Sequence, residues 1–267
     1  MKHALLYFLS FVLIQVLASL GVGVLAAAFG IGDTRGVLLA TTLLANAAVI
    51  LVFAACRWVP LSSAFFTKAN IPLAALALLL GFAMLLPSMI VENLLPEAMR
   101  QDILADVFKS LLASPWGCLA IAVLAPLAEE MVFRGAVLRA ATAFFSTRFA
   151  SPRLAVSAAV IFSALLFSAV HGNPAQMPHA FLIGILLAWI THHTASIVPA
   201  LIIHWVNNAS AVVLYRLMPE SYDMTPAQLF GGYTAAFFAA LAASLVIFLA
   251  ALVAISRSKT TNKPSLQ

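Results

Sequence analysis

The chain has 267 residues, of which 64% are hydrophobic and 9% charged, and its formal net charge at pH 7 is +5. Soluble domains carry roughly 25% charged residues, so this composition excludes a water-soluble globular protein. The basic balance does not indicate nucleic-acid binding, because the lysines and arginines cluster in the loops between long apolar segments.

Apolar runs of about 20 residues, the length that crosses a bilayer, predict an all-α polytopic membrane protein with about eight transmembrane helices. The whole chain, 1–267, is one predicted membrane domain in contact with the lipid bilayer. The first span could instead be a cleaved signal peptide, but its apolar stretch exceeds the usual length of about 7–15 residues. The predicted spans are approximately Ala4–Phe29, Val37–Trp58, Ile71–Val91, Trp116–Phe144, Leu154–Val170, His179–Ile190, Ile197–Tyr215 and Phe230–Ile255.

The segment Glu97–Leu112, between the third and fourth spans, is polar and periodic. Ile103, Val107 and Leu111 share one face of a helix drawn through it. This pattern predicts one amphipathic helix that lies in the membrane interface. Its charged residues fit a solvated face, so no chemistry is assigned to it.

Loop charges indicate the orientation of the chain. With the N-terminus inside, the inner segments hold nine Lys/Arg and no acids, whereas the outer segments hold four Lys/Arg and seven acids. Because a basic excess belongs on the cytoplasmic side, both termini are predicted to be cytoplasmic. A compact chain without a eukaryotic sorting signal favours a bacterial cytoplasmic membrane. The inner basic residues are Lys2, Arg57, Lys68, Arg139, Arg148, Arg153, Arg257, Lys259 and Lys263.

Two adjacent glutamates and an arginine lie inside the fourth span. A bilayer interior tolerates ionisable side chains where they pair, line a cavity or do chemistry. Glu130 and Arg134 are four residues apart, so on a helix they share a face and can form an ion pair. Glu129 is rotated about 100° from Glu130 and is free to face a cavity. A structural ion-pair network is the alternative for the pair, and the second carboxylate favours a functional site.

Two further spans carry polar groups. His171 ends the fifth span, in Phe167-Ser168-Ala169-Val170-His171, and His204 and Asn208 lie on one face of the seventh. Taken singly, each is typical of an interfacial residue or of hydrogen bonding between helices. Three spans with such groups are explained more simply by one shared cavity.

The three motifs, EExxxR at Glu129–Arg134, FxxxH at Phe167–His171 and HxxxN at His204–Asn208, occur in that order and resemble those of the CPBP (ABI) family. That family contains the type II CAAX prenyl endopeptidases and bacterial relatives tied to bacteriocin processing or self-immunity. The motif-bearing core is residues 116–215. The resemblance implies a glutamate-dependent intramembrane protease without a metal, with Glu129 as the catalytic glutamate and with His171, His204 and Asn208 completing the site.

The chemistry of these side chains fits that role. Peptide hydrolysis needs an activated water and stabilisation of a tetrahedral oxyanion. We expect Glu129 and His171 to activate the water, and His204 and Asn208 to donate hydrogen bonds to the oxyanion. Glu130 and Arg134 are expected to support the helix and the local field.

Two further expectations concern the depth of the site and zinc binding. Rise per residue puts His171 about 27 Å along its span from the basic loop, and Glu129 and His204 about 10–18 Å from the cytoplasmic side. A cavity open to the cytoplasm is expected if the chemistry lies nearer that leaflet. Glu129, His171 and His204 could also ligate zinc, since two histidines and one carboxylate form a known catalytic set. No HExxH motif is present.

The sequence thus predicts an intramembrane endopeptidase that cleaves a protein or peptide at the membrane. A non-catalytic scaffold or bacteriocin-immunity protein on the same fold is the first alternative, because resemblance identifies a fold and a site but not turnover. A proton-coupled transporter is the second alternative. No pair of spans shows the matched interrupted halves typical of inverted-repeat transporters.

Overall fold

The computed structural model of the protein describes residues 1–62 and 71–258. Lys68, Lys259 and Lys263, which the topology prediction counts among the basic loop residues, lie outside these ranges. The described residues form helices and no strand. The α-helices are α1 Lys2–Ala28, α2 Thr34–Ala55, α3 Ile71–Asn93, α4 Glu97–Arg100, α5 Ala105–Leu112, α6 Pro115–Ser146, α7 Pro152–Ala169, α8 Met177–Thr194, α9 Val198–Leu217, α10 Pro226–Leu229 and α11 Ala235–Arg257, with a 3₁₀ turn at Pro219–Asp223.

Seven of these helices, α1, α2, α3, α6, α7, α9 and α11, are long and apolar enough to cross a membrane, so the protein is an all-α, multi-pass membrane protein. The prediction of an all-α polytopic membrane protein is confirmed, and seven of its about eight predicted spans correspond to these helices. The remaining predicted span, His179–Ile190, lies inside α8, which has 18 residues but carries His179, His192 and His193 near its ends. These polar side chains lower its mean hydropathy.

The helices pack as a bundle around α6. This helix contacts α1, α2, α7 and α9, while α3 packs between α9 and α11, and α8 packs against α7. Val132 and Phe133 of α6 and Phe167 of α7 are buried in the core. Apolar side chains of α1 and α11, among them Leu9 and Val246, are largely exposed, as expected for surfaces that face lipid.

The predicted interfacial helix is two short helices. Helices α4 and α5 are separated by Gln101–Leu104, which takes up the middle of the predicted element. Asp102 accepts a hydrogen bond from the backbone N–H of Leu104 (3.0 Å), a short-range bond that competes with helix formation. Ile103 therefore lies outside both helices and is exposed, and the expected single face through Ile103, Val107 and Leu111 is wrong.

Candidate active site

Helix α6, predicted as a regular helix over 116–144, changes its hydrogen-bond pattern twice. Glu129 and Glu130 end the α-helical turn Ala125–Glu130, which lies between π-helical turns at Ala120–Leu124 and Met131–Val137. π-Helical turns are rare and occur frequently at functional sites. The two glutamates thus lie where α6 departs from regular geometry on both sides.

Side chains from neighbouring helices bind carbonyl oxygens of these π-helical turns. In the first turn, Asn208 Nδ2 donates to the oxygen of Ile121 (3.0 Å) and Trp205 Nε1 donates to the oxygen of Val123 (3.1 Å). In the second turn, the oxygen of Phe133 accepts a hydrogen bond from Ser163 Oγ at 3.0 Å. These bonds tie α6 to α9 and α7 directly beside the glutamates.

Glu130 joins α6 to α9. Its side chain is fully buried, and Oε1 accepts hydrogen bonds from Arg134 Nη1 and from His204 Nδ1, each at 2.8 Å. Arg134 is also fully buried, and its Nη2 donates to the backbone oxygen of Gly184 on α8 at 3.4 Å. The predicted Glu130–Arg134 ion pair is therefore present. The bond from His204 to the same carboxylate was not predicted.

Glu129 faces the other side of the His204 ring. Its Oε2 lies 3.6 Å from His204 Nε2, and its side chain is 19% exposed. This separation is longer than a hydrogen bond but within the range of an ion pair. The two glutamates thus differ as their 100° rotation predicts, since Glu130 is enclosed and doubly bonded while Glu129 is partly open.

The ring of Phe167 packs against both imidazoles, those of His171 and His204. Its ring centroid lies 5.0 Å from that of His171 and 5.7 Å from that of His204, with edge-to-face geometry in both cases. The Arg134 guanidinium carbon lies 4.3 Å from the same ring, a cation–π contact. Among the described residues, no hydrogen bond or ion pair joins Glu129 to His171. The structure brings His171 to the cluster through Phe167.

The ring of His171 has a defined orientation. Its Nδ1 lies 2.8 Å from the backbone oxygen of Phe167. A carbonyl oxygen can only accept, so Nδ1 carries the proton, and Nε2 of the neutral ring is an acceptor. Nδ1 of His204 also carries a proton, because it donates to the carboxylate of Glu130.

Asn208 belongs to a chain of polar contacts that sequence reasoning missed. Its Oδ1 accepts a hydrogen bond from Asn207 Nδ2 at 3.2 Å. Asn207 lies beside His179 of α8, and His179 Nδ1 lies 3.5 Å from Glu92 Oε1 at the end of α3. The adjacent asparagines in HWVNN could have indicated the contact between Asn207 and Asn208. Glu92 and His179 could not have been predicted to join it, because in the sequence each is typical of an interfacial residue.

Glu129 lies farther from the basic loop along α6 than the expected distance of about 10–18 Å. Glu129 lies 17 residues before the end of α6 at Ser146, or about 26 Å by rise per residue. His171 lies 19 residues after the start of α7 at Pro152, or about 28 Å. The two helices are antiparallel neighbours, so both residues lie at one depth. The expected opening toward the cytoplasm rested on the shallower depth and loses that support.

His204 reaches the same level although it is only six residues into α9. The turn before α9 is itself buried, with Ser196 and Ile197 fully enclosed, so α9 begins inside the protein. The bond from His204 to Glu130 fixes the common depth. Hydropathy cannot reveal this, because a buried turn and a solvated turn read alike in sequence.

The zinc alternative gains no geometric support. Over residues 1–62 and 71–258, no group of three or more His, Cys, Asp or Glu side chains is arranged to hold a metal ion.

Comparison with known proteins agrees with the motifs. The family described as type II CAAX prenyl endopeptidase Rce1-like matches residues 111–210, a segment that contains all three motifs. No match was found among curated proteins, and none among solved structures. Residues 111–210 are therefore similar to the type II CAAX prenyl endopeptidase Rce1-like family, which is consistent with a protease of the CPBP family.

Proposed function

We propose that the protein is an intramembrane endopeptidase in which Glu129 is the catalytic glutamate. The observation that carries the proposal is the position of Glu129, 3.6 Å from His204 Nε2, beside the enclosed Glu130–Arg134 pair. A partly open carboxylate next to an imidazole, within a family of proteases, fits acid–base chemistry better than helix packing.

Glu129 and His171 activate the attacking water in this proposal. Nε2 of His171 is available as an acceptor because Nδ1 donates to the oxygen of Phe167. The water gives its proton to the Glu129 carboxylate as its oxygen attacks the scissile carbonyl carbon. Glu129 then passes that proton to the leaving amine, which breaks the C–N bond.

His204 and Asn208 stabilise the oxyanion. When charged, His204 keeps one N–H on Glu130 and offers Nε2–H to the substrate. A charged His204 also brings the net charge of Glu129, Glu130, Arg134 and His204 to zero. Asn208 uses one N–H for Ile121, which leaves the second for the oxyanion. One such donor is worth about 2.7–4 kcal/mol in the transition state.

The substrate is a peptide bond in a membrane-associated protein or peptide, and the mechanism uses no cofactor. We further propose that α8 also crosses the membrane, since its 18 residues span about 27 Å. An even number of crossings then puts both termini on the cytoplasmic side, in agreement with the basic loops. A bacterial cytoplasmic membrane fits this arrangement.

Replacing Glu129 with Gln tests the proposal. Gln keeps the size of the side chain but cannot take the proton, so turnover falls about 10²- to 10⁴-fold while the amount of protein stays normal. The matched control is Glu97→Gln, the same exchange at an exposed residue of α4. Membrane and secreted peptides from cells with each variant are compared by mass spectrometry, and farnesylated and unmodified CAAX peptides serve as purified probes.

The outcomes separate the candidate functions. Peptides that disappear in Glu129→Gln cells, but not in Glu97→Gln cells, identify the products and support proteolysis. If Glu129→Gln cells keep the wild-type peptide profile and the full biological effect, the protein is a scaffold and the proposal is wrong.

A further inference from the structure

The loop that follows α7 carries His171 and is closed at its base. Gly172 has φ +60°, in the left-handed region that favours glycine, so the chain turns directly after His171. Ser168 Oγ donates to the backbone oxygen of Met177 at 2.7 Å, which joins the end of α7 to the start of α8. The backbone oxygen of Asn173 accepts the N–H groups of Gln176 and Met177, at 2.9 and 3.0 Å.

Asn173, in this loop, is bound by Asp102 of the connection between α4 and α5. Asn173 is fully buried, and its Nδ2 donates to Asp102 Oδ1 at 2.6 Å. The same carboxylate accepts the Tyr222 hydroxyl through Oδ2 at 2.7 Å and the backbone N–H of Leu104 through Oδ1 at 3.0 Å. Asp102 thus ties together the α4–α5 connection, the His171 loop and the 3₁₀ turn. We call Asp102, Asn173 and Tyr222 the loop clamp.

The third member of the loop clamp is itself held in place. Lys109 Nζ lies 2.8 Å from Asp223 Oδ2 and 4.9 Å from the centroid of the Tyr222 ring. Burial and the hydrogen bond to Asp102 raise the pKa of the Tyr222 phenol, which therefore remains a proton donor. Hydrogen bonds to a charged acceptor are roughly twice as strong as neutral ones, so both side-chain bonds to Asp102 are of the strong kind.

We propose that Asp102 is a positioning residue for His171 and acts through Asn173. Asn173 is two residues after His171, so a loop released from Asp102 can shift the ring relative to Glu129. A misplacement of about 1 Å can lower a rate on the order of 10²-fold. Asp102 and Tyr222 both lie outside residues 111–210, so two of the three loop-clamp residues come from parts of the chain that the family match does not include. This inference rests on the proposed function.

The test uses the full-length protein in lipid nanodiscs. Asp102→Ala removes all three bonds, and Asp106→Ala is the matched control, with the same loss of charge at an exposed residue of α5. Asp102→Asn keeps one oxygen for Asn173 and for Leu104, and Tyr222 can rotate its hydroxyl to accept from the new amide. Backbone hydrogen exchange over 170–177 reports the loop. Initial rates with the peptide found in the Glu129→Gln comparison report kcat and KM.

We expect Asp102→Ala to speed exchange over 170–177 by at least about tenfold and to lower kcat on the order of 10²-fold, with KM unchanged within about twofold. Asp102→Asn recovers most of both losses, and Asp106→Ala changes neither. Should Asp102→Ala fail to fold, Tyr222→Phe replaces it, with the same direction of change and a smaller size.

Three results overturn the inference. The first is exchange over 170–177 that matches the Asp106→Ala control. The second is a kcat that stays at the wild-type level, and the third is an effect on KM alone. If Glu129→Gln abolishes processing while Asp102→Ala leaves kcat intact, only the positioning role fails. If Glu129→Gln leaves processing intact, the proposed function fails first, and the exchange data still show whether Asp102 holds the loop.

Discussion

The ion pair between Glu130 and Arg134 gives the sharpest test of how the site is held together. Both side chains are fully buried and their atoms are 2.8 Å apart. Replacing Glu130 with Gln keeps the volume but removes the negative charge that neutralises Arg134. Breaking a buried pair on one side leaves an uncompensated buried charge, which typically costs about 3–5 kcal/mol of folding free energy.

A shift of that size is measurable. For domains of 150–250 residues, 1 kcal/mol corresponds to roughly 2–4 °C in Tm, so Glu130→Gln should lower Tm by about 6–20 °C. The matched control is Asp223→Asn, which breaks the pair with Lys109, where the side chains are 71% and 33% exposed. Exposed pairs often contribute nothing measurable, so this control should barely shift Tm. Both variants are followed by tryptophan fluorescence during heating in detergent.

A double variant separates charge from packing. In Glu130→Gln with Arg134→Met the buried positive charge is gone too, and an apolar replacement of a buried pair is often neutral or better. The double variant should therefore lose less Tm than Glu130→Gln alone. The reasoning is refuted if Glu130→Gln shifts Tm no more than Asp223→Asn, or if the double variant loses as much Tm as Glu130→Gln alone.

Two further predictions concern packing and orientation beside the site. A Cβ added at Gly81 would lie 2.9 Å from Val206 Cβ, so Gly81→Ala should destabilise the protein by about 1–3 kcal/mol. The control is Gly21→Ala, where the new Cβ meets nothing within 4 Å. Its Tm should stay the same or rise, because alanine has a higher helix propensity than glycine. Asn207→Ala removes the hydrogen bond that orients the Asn208 amide, worth a net of about 0.5–1.5 kcal/mol, so turnover should fall about 2- to 12-fold while Tm falls by about 1–6 °C. An unchanged rate contradicts that role.

Hydropathy predicted most of the fold, because a helix that crosses the bilayer must be a long apolar segment. Seven of the predicted spans correspond to helices that are long and apolar enough to cross, and their ends agree within about five residues. The sixth predicted span also agrees with the ends of α8 within about four residues. The interfacial helix was predicted less well, because a short polar contact, the bond from Leu104 N–H to Asp102, separates α4 from α5.

The local geometry of α6 could not be predicted from α6 alone. Its π-helical turns have carbonyl oxygens that are bound by Trp205 and Asn208 of α9 and by Ser163 of α7. These partners are 30 to 87 residues away in sequence, so no local pattern contains them. A tertiary partner for a backbone group is visible only when the helices are assembled.

The sequence nonetheless predicted which of the two adjacent glutamates is enclosed. Arg134 lies four residues after Glu130 and five after Glu129, so only Glu130 shares its face on a helix. The structure adds Nδ1 of His204 to the same carboxylate, so Arg134 and Nδ1 of His204 are both bound by Glu130, and Glu129 faces the Nε2 side of the ring at 3.6 Å. The enclosed pair thereby leaves Glu129 partly exposed beside an imidazole, where a positioned side chain can transfer a proton.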